Sequence, residues 1–122
     1  MGIRFVKTDT FKRTVKVKIM SPDRPDQHAH GTFIANYRRP SMEELEQLTA
    51  VNNGEQESRL SVIRDVLSKQ LASVEGIDAE DGSKLSESEQ LDIVMNAAEF
   101  TIPAHVEFWR AINSMAEVKR GN

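Results

Sequence analysis

From Thr10 to Met20 the chain keeps a two-residue rhythm: Lys12, Thr14, Lys16 and Lys18 occupy one parity, and Phe11, Val15, Val17 and Ile19 the other. Successive side chains of an extended chain leave on opposite faces, so this run acquires one dry face as a strand and loses it as a helix. A strand wet on one side only calls for an antiparallel neighbour. Gly31 to Arg39 supplies it, with Phe33, Ala35 and Tyr37 facing one way and Thr32, Ile34, Asn36 and Arg38 the other. Between the two runs Pro22, Asp23, Pro25 and Asp26 remove donors and favour turns, which predicts a loop to about His30. Arg13 is the single charge on the apolar parity of the first strand, and the pattern places it near the strand's start or at a frayed edge.

Beyond Pro40 the period changes. Ser41 and Glu44 make a capping box ahead of Leu45 and Leu48, predicting a short helix to about Val51 that Asn52, Asn53 and Gly54 end. Leu60, Ile63, Leu67 and Leu71 then recur at helical spacing, with Val62 and Val66 widening the stripe, which predicts a second helix over about Gln56 to Ala72. Ser73 to Leu85 reads as a loop or small hairpin turning at Asp81 and Gly82. A second capping box, Ser86 with Glu89, opens a third helix through Leu91, Ile93, Val94 and Met95 to near Ala98. Pro103 suits the first turn of a fourth, which continues through Val106, Phe108, Trp109, Ile112, Met115 and Val118. The expected architecture is α+β: an N-terminal antiparallel hairpin or small sheet followed by about four helices. Residues 1–40 form the hairpin region, 41–118 the helical region and 119–122 a polar tail of a single domain.

Composition narrows the chemistry. The 122 residues are 39% hydrophobic and 29% charged, which suits one folded domain with one core. Having no Cys, the chain cannot use disulfides, thiolate-bound zinc, iron–sulfur clusters or thiol nucleophiles, and it fits a reducing compartment. Apolar runs stop at two or three residues, too short to span a membrane, and Met1 to Val6 lacks the apolar core of a signal peptide. Charge is divided: residues 1–40 carry nine Lys or Arg against three Asp, and the rest seven basic against sixteen acidic side chains. A basic sheet beside acidic helices accounts for this division, as would a nucleic-acid patch using Lys12, Lys16, Lys18, Arg38 and Arg39 for phosphates and Tyr37 for stacking. The net charge of −3 and the lone aromatic among the cations disfavour the patch.

Other constellations are weaker. Asp23, Asp26, His28 and His30 could share a divalent metal, since two His at alternate strand positions point the same way, but spacing fixes no further ligand. The run Asp78, Glu80, Asp81 and Gly82 fails the calcium-loop spacing and reads as a turn. His105, one turn before Trp109, could act as acid or base only if a partner met it in space. In the fourth helix Phe108 and Trp109 are adjacent, so with Val106, Ile112 and Met115 the apolar arc exceeds one core stripe. Either the helix is central and buried on most sides, or Trp109 and Met115 anchor a partner surface.

The order of these pieces resembles the tail assembly chaperones of long-tailed bacteriophages and prophages. The opening strand TFKRTVKVKI, the second strand TFIANYRR running into SMEELEQL, the helix RLSVIRDVLSKQL leading to VEGIDAEDGSKLSESEQLDIV, and FTIPAHVEFWRAINSM with the basic ending KRGN carry the likeness across most of the chain. One departure is Val74, where similar proteins often have Trp before the acidic residue and Gly. The resemblance implies a non-enzymatic role without cofactor, catalytic residue or metal site. A protein of this kind binds the coiled-coil-prone tape measure protein, keeps it soluble in the host cytoplasm, and leaves before the virion matures. It further implies self-association, a longer frameshifted form of which this chain would be the short counterpart, and contact with the tail tube protein. The expected partner-binding residues are Leu67, Trp109, Ile112 and Met115. The other expectation is a nucleic-acid-binding accessory protein using the basic hairpin, and a metal-dependent hydrolase stands third.

Overall fold

The computed structural model describes residues 2–3, 8–52 and 59–115. β1 (Thr10–Met20) and β2 (His28–Arg38) pair antiparallel in one unbroken register, from Thr10 opposite Arg38 to Met20 opposite His28. The loop between them is tied by Ser21, whose N–H donates to the Gln27 carbonyl at 3.0 Å and whose Oγ accepts from the Asp23 and Arg24 amides. Asp26 holds a positive φ of 67° there, a conformation that Asp tolerates better than most residues. The second strand begins at His28 rather than after His30, because the turn closes within residues 21–27.

α1 (Met42–Asn52) opens with both halves of the expected capping box: the Glu44 amide donates to Ser41 Oγ at 3.2 Å, and the Ser41 amide to Glu44 Oε1 at 3.3 Å. α2 (Arg59–Gln70) ends two residues before the expected Ala72, and its expected start at Gln56 lies outside the described residues. Leu71 is instead the first residue of β3 (Leu71–Glu75), which pairs antiparallel with β2 and makes the sheet order β1-β2-β3. An irregularity between Asn36 and Tyr37 shifts the register, so β3 buries Leu71 and Val74 rather than alternate residues. Asp78 then bridges to Lys84 across the expected turn at Asp81 and Gly82, where Asp81 accepts from the Ser83 amide and hydroxyl.

α3 (Glu87–Asn96) carries the second capping box, with Ser86 as N-cap. α4 (Ala98–Met115) starts one residue after the Ala97 cap of α3. The expectation that Pro103 opens this helix is corrected: it is the sixth residue, and the missing N–H leaves the Glu99 carbonyl without its usual donor. Val118 and the tail 119–122 lie outside the described residues.

The helices cover one face of the sheet. Val15, Val17, Phe33, Ala35, Tyr37 and Val74 meet Leu48, Val66, Leu67, Val94, Ala104 and Phe108 in one core. Arg13 is the fourth residue of β1, near the strand's start as the pattern placed it, and points into the covered face; it pairs with Ala35, and its Nε and Nη2 donate to Glu107 Oε2 at 3.0 and 2.7 Å. Glu107 is 7% exposed and also accepts from Arg110 at 3.1 Å, so a bridged carboxylate compensates the charge on the apolar parity. Among the described residues no helix is long and apolar enough to cross a membrane.

Candidate functional site

α4 carries two apolar seams. Thr101, Ala104, Phe108 and Ala111, spaced three or four apart, are buried against the sheet and α2. Tyr37 fixes this seam by donating from its hydroxyl to the Ala104 carbonyl at 2.6 Å, and its ring lies 5.5 Å from that of Phe108. Burial, with the Glu107 carboxylate adding to it, raises the Tyr37 phenol well above its ordinary pKa.

The second seam is Ala98, Ile102, His105, Trp109 and Ile112, spaced four, three, four and three. These residues therefore share a flank beside the core-facing one. Ala98 and Ile102 are exposed, while His105, Trp109 and Ile112 are half-buried. Trp109 packs edge-on against Phe108 at 5.2 Å and donates from Nε1 to His105 Nε2 at 3.0 Å. That bond requires an unprotonated Nε2, and burial lowers the His105 pKa in the same sense. His105 therefore orients the indole. The upper end of the seam opens into a groove whose other wall is Leu60 and Ile63 of α2 and Met95 of α3. Arg64, bonded from Nη2 to Asn96 Oδ1 at 2.9 Å, lies along its rim. Leu60 is 65% exposed, a large apolar side chain left uncovered beside a helix of similar character.

The four expected contact residues separate. Trp109 and Ile112 lie on the second seam, and Met115, 58% exposed, ends the described part of α4. Leu67 has 0% exposure in the core, so its expected place at a contact surface is corrected. The buried stripe on α2 is Val62, Ile63, Val66, Leu67 and Gln70, and Leu60, one heptad before Leu67 on the same side, is left uncovered in the first turn. Sequence spacing alone had put Leu60 on the buried side and passed over Ile102.

The basic residues Lys12, Lys16, Lys18 and Arg38 are exposed on the sheet face opposite the helices, and Lys12 pairs with Glu75 at 2.9 Å. Tyr37 lies on the other face with 0% exposure, which overturns its expected use as a stacking platform. His28 and His30 stand edge-on with ring centres 4.8 Å apart. Among the described residues no three His, Asp or Glu side chains converge on one point where a metal could sit.

No protein-family model, curated protein or solved structure matches the chain. The arrangement at α4 combines an apolar seam, an indole held in place by His105 and, at the seam's upper end, a groove bounded by a second helix.

Proposed function

We propose that this protein is a tail assembly chaperone that binds apolar helical segments of a tape measure protein and keeps them soluble until tail assembly. The observation that carries the reading is the second seam on α4, Ile102, Trp109 and Ile112 at heptad spacing, whose Ile102 end lines the same groove as the uncovered Leu60. A long coiled-coil-prone chain exposes seams of this period before it assembles, and a helix laid into a groove of matching period buries them. The resemblance of the strand, helix and loop segments supplies the biological setting, a bacterial cytoplasm during tail morphogenesis. Trp109, Ile112 and Met115 remain the proposed contact residues, joined by Leu60 and Ile102.

Co-expression of the tagged chain with a tape measure protein of the same genome tests this reading. Soluble partner retained through a high-salt wash is the expected result, since apolar contact is insensitive to screening. An insoluble partner, with the chain purifying alone, would overturn it. The cationic outer face of the sheet favours a second reading, a nucleic-acid accessory role. In that case binding to a labelled duplex falls steeply as salt rises.

A further inference from the structure

A second surface, independent of the chaperone reading, lies along β1. The sheet order leaves this eleven-residue strand at an edge. The phase of its ladder follows from the Arg39 amide, which donates to the Asp9 carbonyl at 2.9 Å. Odd-numbered residues of β1 therefore exchange hydrogen bonds with β2, and the backbone groups of Lys12, Thr14, Lys16 and Lys18 point away from the sheet. The ends of this free edge are occupied: Thr10 O accepts from Thr8 Oγ1 and Arg39 Nε, and the Met20 amide donates to Glu99 at 2.7 Å. Among the described residues, no backbone bond fills the stretch between them.

That stretch borders a groove. Thr14 and Lys16 form one bank, and Pro103, Val106 and Arg110 of α4 the other, with Val106 47% exposed. A strand added here would turn alternate side chains inward, beside Val15 and Val106, and outward, beside Lys16 and Lys18. The inward surroundings are Val15 and Val106, with the Arg13, Glu107 and Arg110 ion pairs at their side. The outward ones are cationic, since among the described residues neither Lys16 nor Lys18 has a carboxylate within ion-pair distance. A second copy of β1 fits poorly: antiparallel registers centred on Thr14, Val15 or Lys16 set lysine opposite lysine. We propose that the open edge of β1 captures, by strand addition, an extended partner segment that alternates apolar and acidic residues.

The test uses the full chain and a blocked peptide of alternating valine and glutamate long enough to span β1, followed by amide hydrogen exchange. The expected result is new protection at Lys12, Thr14, Lys16 and Lys18, while Phe11, Arg13, Val15 and Val17 are protected with or without peptide. Thr14→Pro removes an outward N–H and leaves the β2 ladder intact, so it should weaken the peptide roughly tenfold. Should that variant not fold, Val106→Asp, at an exposed position on the opposite bank, should weaken it comparably. The proposal is overturned if the peptide fails to bind or protects other amides, or if a valine–lysine peptide binds equally well. It is also overturned if a DNA duplex protects the same amides in the peptide's stead, or if they become protected with rising protein concentration alone.

Discussion

Glu107 is the side chain on which the packing of α4 over β1 depends most. Its carboxylate is nearly enclosed and accepts from Arg13 and Arg110, so truncation leaves Arg13 facing an apolar surface without its counter-charge. Glu107→Ala should cost about 2 to 4 kcal/mol in urea unfolding. A double-mutant cycle with Arg13→Ala should recover part of that loss, because the second change removes the stranded cation. Tyr37, the single tyrosine of the chain, titrates in the opposite direction from a paired carboxylate. Its folded pKa is raised, so the stabilisation is complete below the unfolded value of about 10 and is lost as pH climbs above it. Tyrosinate absorbance should appear together with loss of helical circular dichroism, and Tyr37→Phe should blunt the alkaline transition. His105 works at the other end of the scale. Its pKa is lowered, so stability is present above about 6.5 and declines as pH falls through the folded value. The lone Trp109 reports the change, since protonation at Nε2 breaks the indole bond; His105→Gln should remove the acid step in its fluorescence. The sequence made Arg13 visible as an exception but could not reveal its partner, because Glu107 is 94 positions away and has no local signature.

Among the elements, those legible in the sequence are those whose evidence is local. The alternation from Thr10 to Met20 and the Ser41 and Ser86 capping boxes depend on residues within a few positions of each other, and each appears where the pattern put it. β3 was hidden for the opposite reason. Five residues long and broken by a register shift, it has no alternation to read, and it is a strand because β2 offers an edge to pair with. The stripe of α2 was legible, since Ile63 and Leu67 with Val62 and Val66 are buried, and only Leu60, in the first turn, is left uncovered. Gly76 closes the segment after β3 with φ of 95°, and a Cβ there would sit 3.6 Å from the Phe33 backbone. Gly76→Ala should therefore lower stability by about 1 to 2 kcal/mol through the backbone, and Gly82→Ala, at a similar φ in open space, should cost about as much. Thermal unfolding of the pair checks that the positive φ sets the cost at both positions. The second seam of α4 was partly legible: the excess arc was evident from Phe108 and Trp109, but its continuation to Ile102 was not.

At the scale of the whole molecule, the two proposed surfaces lie on different sides of α4 and are separable by substitution. Trp109→Ala should abolish retention of the tape measure partner while the protein stays folded; equal loss of both would return Trp109 to the core. Light scattering across a range of concentrations checks self-association, and a strict monomer throughout would count against an interface between copies on the second seam. The packing of α4 over the hairpin also bears on how the protein is made. The hairpin leaves the ribosome before α4, and its dry face has no cover from that helix until Ala104 and Phe108 have emerged, so a nascent chain arrested before Ala104 carries Val15, Phe33 and Tyr37 incompletely sheltered. Synthesis of this protein thus passes through an interval in which the chain itself displays the kind of surface that cellular holdases recognise.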